Sequence, residues 1–107
     1  MEKLEHILKL LDENKDNEFI VSILSSIENE IQNILNKVRK CNSLADSEIY
    51  FNLLDKVQFI LAKKAFKEKI ELPPNLRKFV YDFDRLDDVA SKNYLFSTIK
   101  SGGNYFN

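Results

Sequence analysis

Residues 20–41 read IVSILSSIENEIQNILNKVRKC. Ile20, Leu24, Ile27, Ile31, Ile34, Val38 and Cys41 are separated by steps of four, three, four, three, four and three. Apolar residues spaced this way fall on one face of an α-helix, as an a/d seam sustained over three heptads. Ile20, Ile27, Ile31, Ile34 and Val38 are β-branched, and isoleucine at both a and d suits a core of several helices better than a simple pair. Ile23 and Leu35 widen the face beyond a narrow seam, as expected for a helix inside a bundle. Ser22, Ser25, Ser26, Asn29, Asn33 and Asn36 mark the solvated side. The seam therefore predicts bundle core, with pairing across a dimer as the alternative.

The rest of the chain agrees with an all-α fold. It has 107 residues with 44% hydrophobic and 31% charged content, enough for one globular domain with one core. Two glycines and two prolines predict long helices joined by short turns. No apolar run reaches the roughly 18 residues of a membrane span, and no secretory apolar region opens the chain. Cys41 is the only cysteine, so no intrachain disulfide can form; on the seam it reads as a buried structural thiol. These features predict a cytoplasmic, intracellular protein with no membrane partner.

Around the seam the elements follow in order. Residues 1–11 form a short helix with the stripe Leu4, Ile7, Leu8 and Leu11. His6, the only histidine, stands beside that stripe without a second ligand type nearby, which leaves it structural or on the surface. In the polar break 12–18, Asp12, Asn14 and Asp16 imitate the first ligands of a calcium loop. Asn17 stands where the required glycine belongs, and Ile23 where the bidentate glutamate belongs. Asp16 or Asn17 reads instead as the cap of the long helix 18–41, whose basic end (Lys37, Arg39, Lys40) complements the helix dipole. Ser43, Asp46 and Ser47 supply caps for a second long helix over 47–70. A short link predicts that the two long helices pair antiparallel. The second carries one apolar line through Tyr50, Leu53, Leu54, Val57, Ile60 and Leu61. Another follows Phe59, Ala62, Phe66 and Ile70, which predicts packing on more than one side.

Pro73 and Pro74 end that helix and open a C-terminal helical segment over 75–100. Leu76, Phe79, Val80, Phe83 and Leu86 trace its apolar face, and Asp84, Asp87 and Asp88 at i, i+3 and i+4 would share an outer patch. A break or kink is expected at Ser91–Asn93, after which Tyr94, Leu95, Phe96 and Ile99 resume the pattern. Gly102 and Gly103 are expected to stop the helix through left-handed backbone. In the tail 101–107, Tyr105 and Phe106 either cover the core or anchor a partner molecule. The domain is thus expected to be a single bundle of about four or five helices over residues 1–107.

Charge is segregated. Residues 1–36 carry three basic and eight acidic side chains, residues 37–78 ten basic and five acidic. The two regions could attract each other, or the basic one could meet an acidic partner. Lys56, Lys63 and Lys67 follow a seven-then-four spacing along one face of the second long helix, with Lys64, Arg77 and Lys78 close in sequence. Such a face would neutralise phosphates without reading bases, with Phe59 and Phe66 as stacking surfaces. The succession of a short helix, the segment IQNILNKVRK at 31–40, a lysine-rich helix and a Phe-rich last helix resembles the small helical subunits of type III CRISPR effector complexes. That resemblance implies a subunit that tracks a nucleic-acid backbone.

No catalytic constellation, cofactor motif or metal-ligand spacing emerges, and the carboxylates at 84–88 lack a histidine or glycine-rich loop to work with. The primary expectation is a non-enzymatic helical interaction module, a small subunit of a larger assembly or a homo-oligomer. The alternative is a nucleic-acid-binding accessory subunit using Lys56, Lys63, Lys64, Lys67, Arg77 and Lys78.

Overall fold

The computed structural model describes residues 2–102. Among these are five helices and no strand: α1 (Glu2–Glu13), α2 (Asn17–Lys40), α3 (Glu48–Phe66), α4 (Pro74–Asp82) and α5 (Val89–Ser101). Helix α2 is the axis. Its 24 residues rise about 36 Å, close to the 40 Å long dimension of a molecule 24 Å across. It packs against α1, α3 and α5, while α3 also packs against α1 and α4.

The seam is buried within this one chain. Ile20, Leu24, Ile27, Ile31, Ile34 and Val38 are all 4% exposed or less, and Leu35 joins them at 0%. Each contributes roughly 1.5–3 kcal/mol by leaving water. The surrounding helices use the seam fully, so bundle core, not pairing across a dimer, is its role. Cys41 corrects the last seam position. It caps α2 with extended backbone (φ −73°, ψ 145°), is half-buried, and its thiol donates to the Lys37 carbonyl at 3.3 Å.

Helix ends explain the path of the chain. Asp16 caps α2 by accepting the Glu18 N–H at 3.0 Å. Near the other end of α2, the ammonium of Lys100 on α5 donates to the Arg39 carbonyl at 2.8 Å and also to that of Cys41. Arg39 returns a bond to the Ile99 carbonyl at 3.2 Å, so two helix ends satisfy each other's orphan carbonyls. The link to α3 is held by the Ser43 hydroxyl, which accepts the Asp46 N–H at 3.2 Å. Ser47 occupies the N-cap position of α3 but makes no side-chain cap bond there; its hydroxyl donates to the Leu44 carbonyl at 2.7 Å. Lys64, near the end of α3, reaches the link that precedes α2, so the two long helices run antiparallel.

Three expectations about the C-terminal half need correction. Helix α3 stops at Phe66, not residue 70, because Lys69 turns left-handed (φ 57°). The Ile70 N–H then reaches back to the Lys64 carbonyl at 3.1 Å. The segment 75–100 is two helices, and the break lies before 89 rather than at Ser91–Asn93. Asp88 caps α5, accepting from the Ala90 N–H and the Ser91 hydroxyl, each at 3.1 Å. Phe83 and Leu86 are buried at 0% and 4% in this break, anchoring it as they would a helix. Finally, Gly102 ends α5 with extended backbone (φ −92°, ψ 173°) and not a left-handed turn; Gly103 lies outside the described residues.

The second packed side of α3 also differs from expectation. Phe51 is 1% exposed, and buried Gln58 donates to the Val80 carbonyl of α4 at 3.0 Å. Phe59 and Phe66 are left outside, 66% and 69% exposed.

Candidate partner-binding face

The six cations named as candidates stand in different settings: Lys56 and Lys63 share the outer side of α3 as their spacing predicts, while Lys64 does not. Lys64 is 1% exposed; its ammonium donates to the Asn14 carbonyl at 2.9 Å, the Asp12 carbonyl at 3.5 Å and the Glu68 carboxylate at 3.1 Å. A group enclosed this way cannot meet a phosphate, so Lys64 is removed from any binding face. Lys63 pairs with Asp12 and stands 6.0 Å from the centroid of the Phe59 ring. Lys78 pairs with Asp82 at 3.2 Å, one helical turn on. Lys56, Lys67 and Arg77 are exposed and make no ion pair among the described residues. The acidic N-terminal region thus meets the basic middle inside the molecule, through Asp12 and the carbonyls beside it. Tyr105 and Phe106 lie outside the described residues.

What the fold does present is aromatic. Along α3, Asn52, Lys56, Phe59, Lys63 and Phe66 repeat at steps of four, three, four and three on the side opposite Leu54, Val57 and Leu61. Burial of the inner side fixes the helix rotation and pushes both phenylalanines outward. Phe59 overlooks a groove between α1 and α3 bordered by Leu8, Lys9, Asp12 and Ile60. Beyond Phe66, where the chain turns from α3 to α4, lies a hollow of about 260 Å³. Ala65, Ile70, Leu72 and Val80 line it, and Phe66, Tyr81 and Arg77 border it. Tyr81 is 85% exposed. Sequence reading assigns it no role, although it stands just off the stripe Leu76, Phe79, Val80 and Phe83. Its offset from Val80 by one residue, about 100° around a helix, was the available signal.

Aromatics and arginine are the residue types enriched at the centres of protein interfaces. Of the other large exposed apolar groups, Val21 lines a neighbouring groove with Ile70, Leu72 and Arg77, Tyr94 lines one between α4 and α5 with Lys78 and Asp82, and Ile49 and Val89 stand at the starts of α3 and α5. The acidic stretch 82–88 is largely engaged: Asp82 with Lys78, Asp84 with the Gln58 amide at 3.4 Å, and Asp88 with α5. Asp84, Asp87 and Asp88 do not share a helix face, because residues 83–88 are turn. His6 is exposed on α1.

An all-helical bundle with apolar seams spent on its own core, and aromatics left over on one face, has the makings of a protein-binding module. The family model described as immunity protein CdiI-like matches residues 1–101. The chain belongs to the CdiI-like immunity protein family, and its partner is a protein. No curated protein and no solved structure matches it. No described helix is long and apolar enough to cross a membrane.

Proposed function

We propose that this chain is an immunity protein that neutralises a toxin polypeptide in the cytoplasm by holding it in a stable complex, without chemistry of its own. The family match over residues 1–101 carries the reading. The docking face is the outer side of α3 continued onto α4: Phe59, Phe66 and Tyr81, with Lys56, Lys67 and Arg77 around them. A standard interface takes about 800 Å² from each partner, and the 40 × 24 Å side of the molecule provides that area. Covering a Phe side chain stabilises a complex by roughly 2 kcal/mol, so three aromatics and an arginine can anchor it. The helices beneath them are fixed by a packed core, so little ordering cost remains at binding.

Co-expression tests this reading. Cells producing the cognate toxin domain grow when the intact chain is present, and the two proteins co-elute as one complex. Growth arrest that the chain does not relieve, with no complex on co-elution, rejects it.

A further inference from the structure

The hollow between α3 and α4 specifies more than a generic protein partner. Its floor is apolar, built from Ala65, Ile70, Leu72 and Val80, the last three of them 3–6% exposed. At about 260 Å³ it falls below the roughly 300–1,000 Å³ typical of small-molecule sites, and is sized for a side chain. Arg77, which borders it, is exposed and carries no ion pair among the described residues; the same holds for Lys69, which lines the neighbouring groove with Ile70, Leu72 and Arg77, and for Lys67, next in sequence to Phe66. The nearby carboxylates are fewer: Glu71 borders the hollow, and Glu68 is already held by Lys64. Beyond Tyr81, Asp82 is engaged by Lys78. An apolar pocket with an unpaired guanidinium on its border, and two further unpaired lysines next to its lining residues in sequence against the single carboxylate of Glu71, favours an acidic chain over a basic one.

We infer that this hollow receives an apolar side chain carried on an acidic segment of the toxin, with a toxin carboxylate set against Arg77. Two features favour Arg77 for that role: it borders the apolar hollow directly, and its planar guanidinium matches a carboxylate bidentately. Phe66 and Tyr81 form the two walls that close over the inserted side chain. The inference rests on the proposed immunity function and names the chemistry of its partner.

The test uses the full chain and the toxin domain against which the wild type protects growth. Arg77→Glu and Phe66→Asp are each expected to weaken the complex by about 100-fold, and Arg77→Lys by less. The control Lys37→Glu with Lys40→Glu, at the far end of α2, stays within about twofold. Circular dichroism melts report whether each variant is folded; should Phe66→Asp unfold, Tyr81→Asp, on a side chain 85% exposed, takes its place. Wild-type protection with full affinity retained in both hollow variants overturns the inference and leaves the immunity function standing. So does a dimer of the chain alone that Phe66→Asp dissociates, or salt-sensitive RNA binding lost in Arg77→Glu, each of which gives the hollow another occupant. No toxin binding by the wild type removes both readings together.

Discussion

The ammonium of Lys64, in the last turn of α3, donates to the carbonyl of Asn14, the residue just past α1, across 2.9 Å. The bond spans 50 positions and ties the end of one long helix to the start of another. A lysine in a run of lysines is thereby a structural strut: its charge is met by Glu68 and by main-chain oxygens left over at the end of α1.

Removing that strut leaves two half-buried carbonyls and the Glu68 carboxylate without their cation, and the space of the stem unfilled. Lys64→Ala is expected to lower stability by about 3 kcal/mol. Lys64→Met, which keeps the stem's volume, costs clearly less. Urea denaturation of the two variants separates the polar from the packing share. Equal losses would mean that the hydrogen bonds and the ion pair carry the whole effect and that the stem's packing contributes little.

The left-handed backbone at Lys69 (φ 57°) offers a gain instead. Glycine adopts this conformation without the steric cost borne by an L side chain, so Lys69→Gly is expected to add about 0.5–1 kcal/mol. The melting temperature should rise by several degrees, on a scale of about 4–8 °C per kcal/mol for a domain near this size. Lys69→Val, at the same exposed position, should lower it.

Asp88 starts α5 by accepting from Ala90 and Ser91. Asp88→Ala should cost about 1 kcal/mol, and Asp88→Asn or Asp88→Ser much less. Hydrogen exchange of the Ala90 amide, whose N–H Asp88 accepts, is the local readout. Protection unchanged in the alanine variant would show that α5 is held by its packing on α2 alone.

Phenylalanines of α3 should divide sharply by face. Phe51→Ala, at 1% exposure, is expected to cost about 3–5 kcal/mol. Phe59→Ser and Phe66→Ser should change stability by no more than about 0.5 kcal/mol, while lowering toxin affinity. Denaturation and binding measured on the same samples check both halves of the contrast.

Much of the fold is legible in the order of residues because one helix face does most of the burying. The seam of α2 survives intact up to Val38, and Asp16 caps where its position predicts. What escapes local reading depends on tertiary packing. Phe51, Phe59 and Phe66 are equally apolar, and only the placement of α1, α2 and α4 around α3 decides which of them is covered. The end of α3 hangs on one left-handed lysine, a conformation that residue type does not announce. The candidate site was less legible for the same reason. Lys64 looks like its neighbours in sequence but is taken by Asn14, and Tyr81 gains significance only beside Phe66 and Arg77.

Helix α3 is two-sided in a way that matters over generations of sequence change. Its inward side chains answer to the bundle, and its outward ones, at Phe59 and Phe66 with Tyr81 alongside, place little demand on folding. Substitutions on the outer side can therefore accumulate without approaching the threshold below which the protein unfolds. A lineage of such chains could exchange one protein partner for another by repainting this face, while Ile27, Ile31 and Leu35 keep the same scaffold standing.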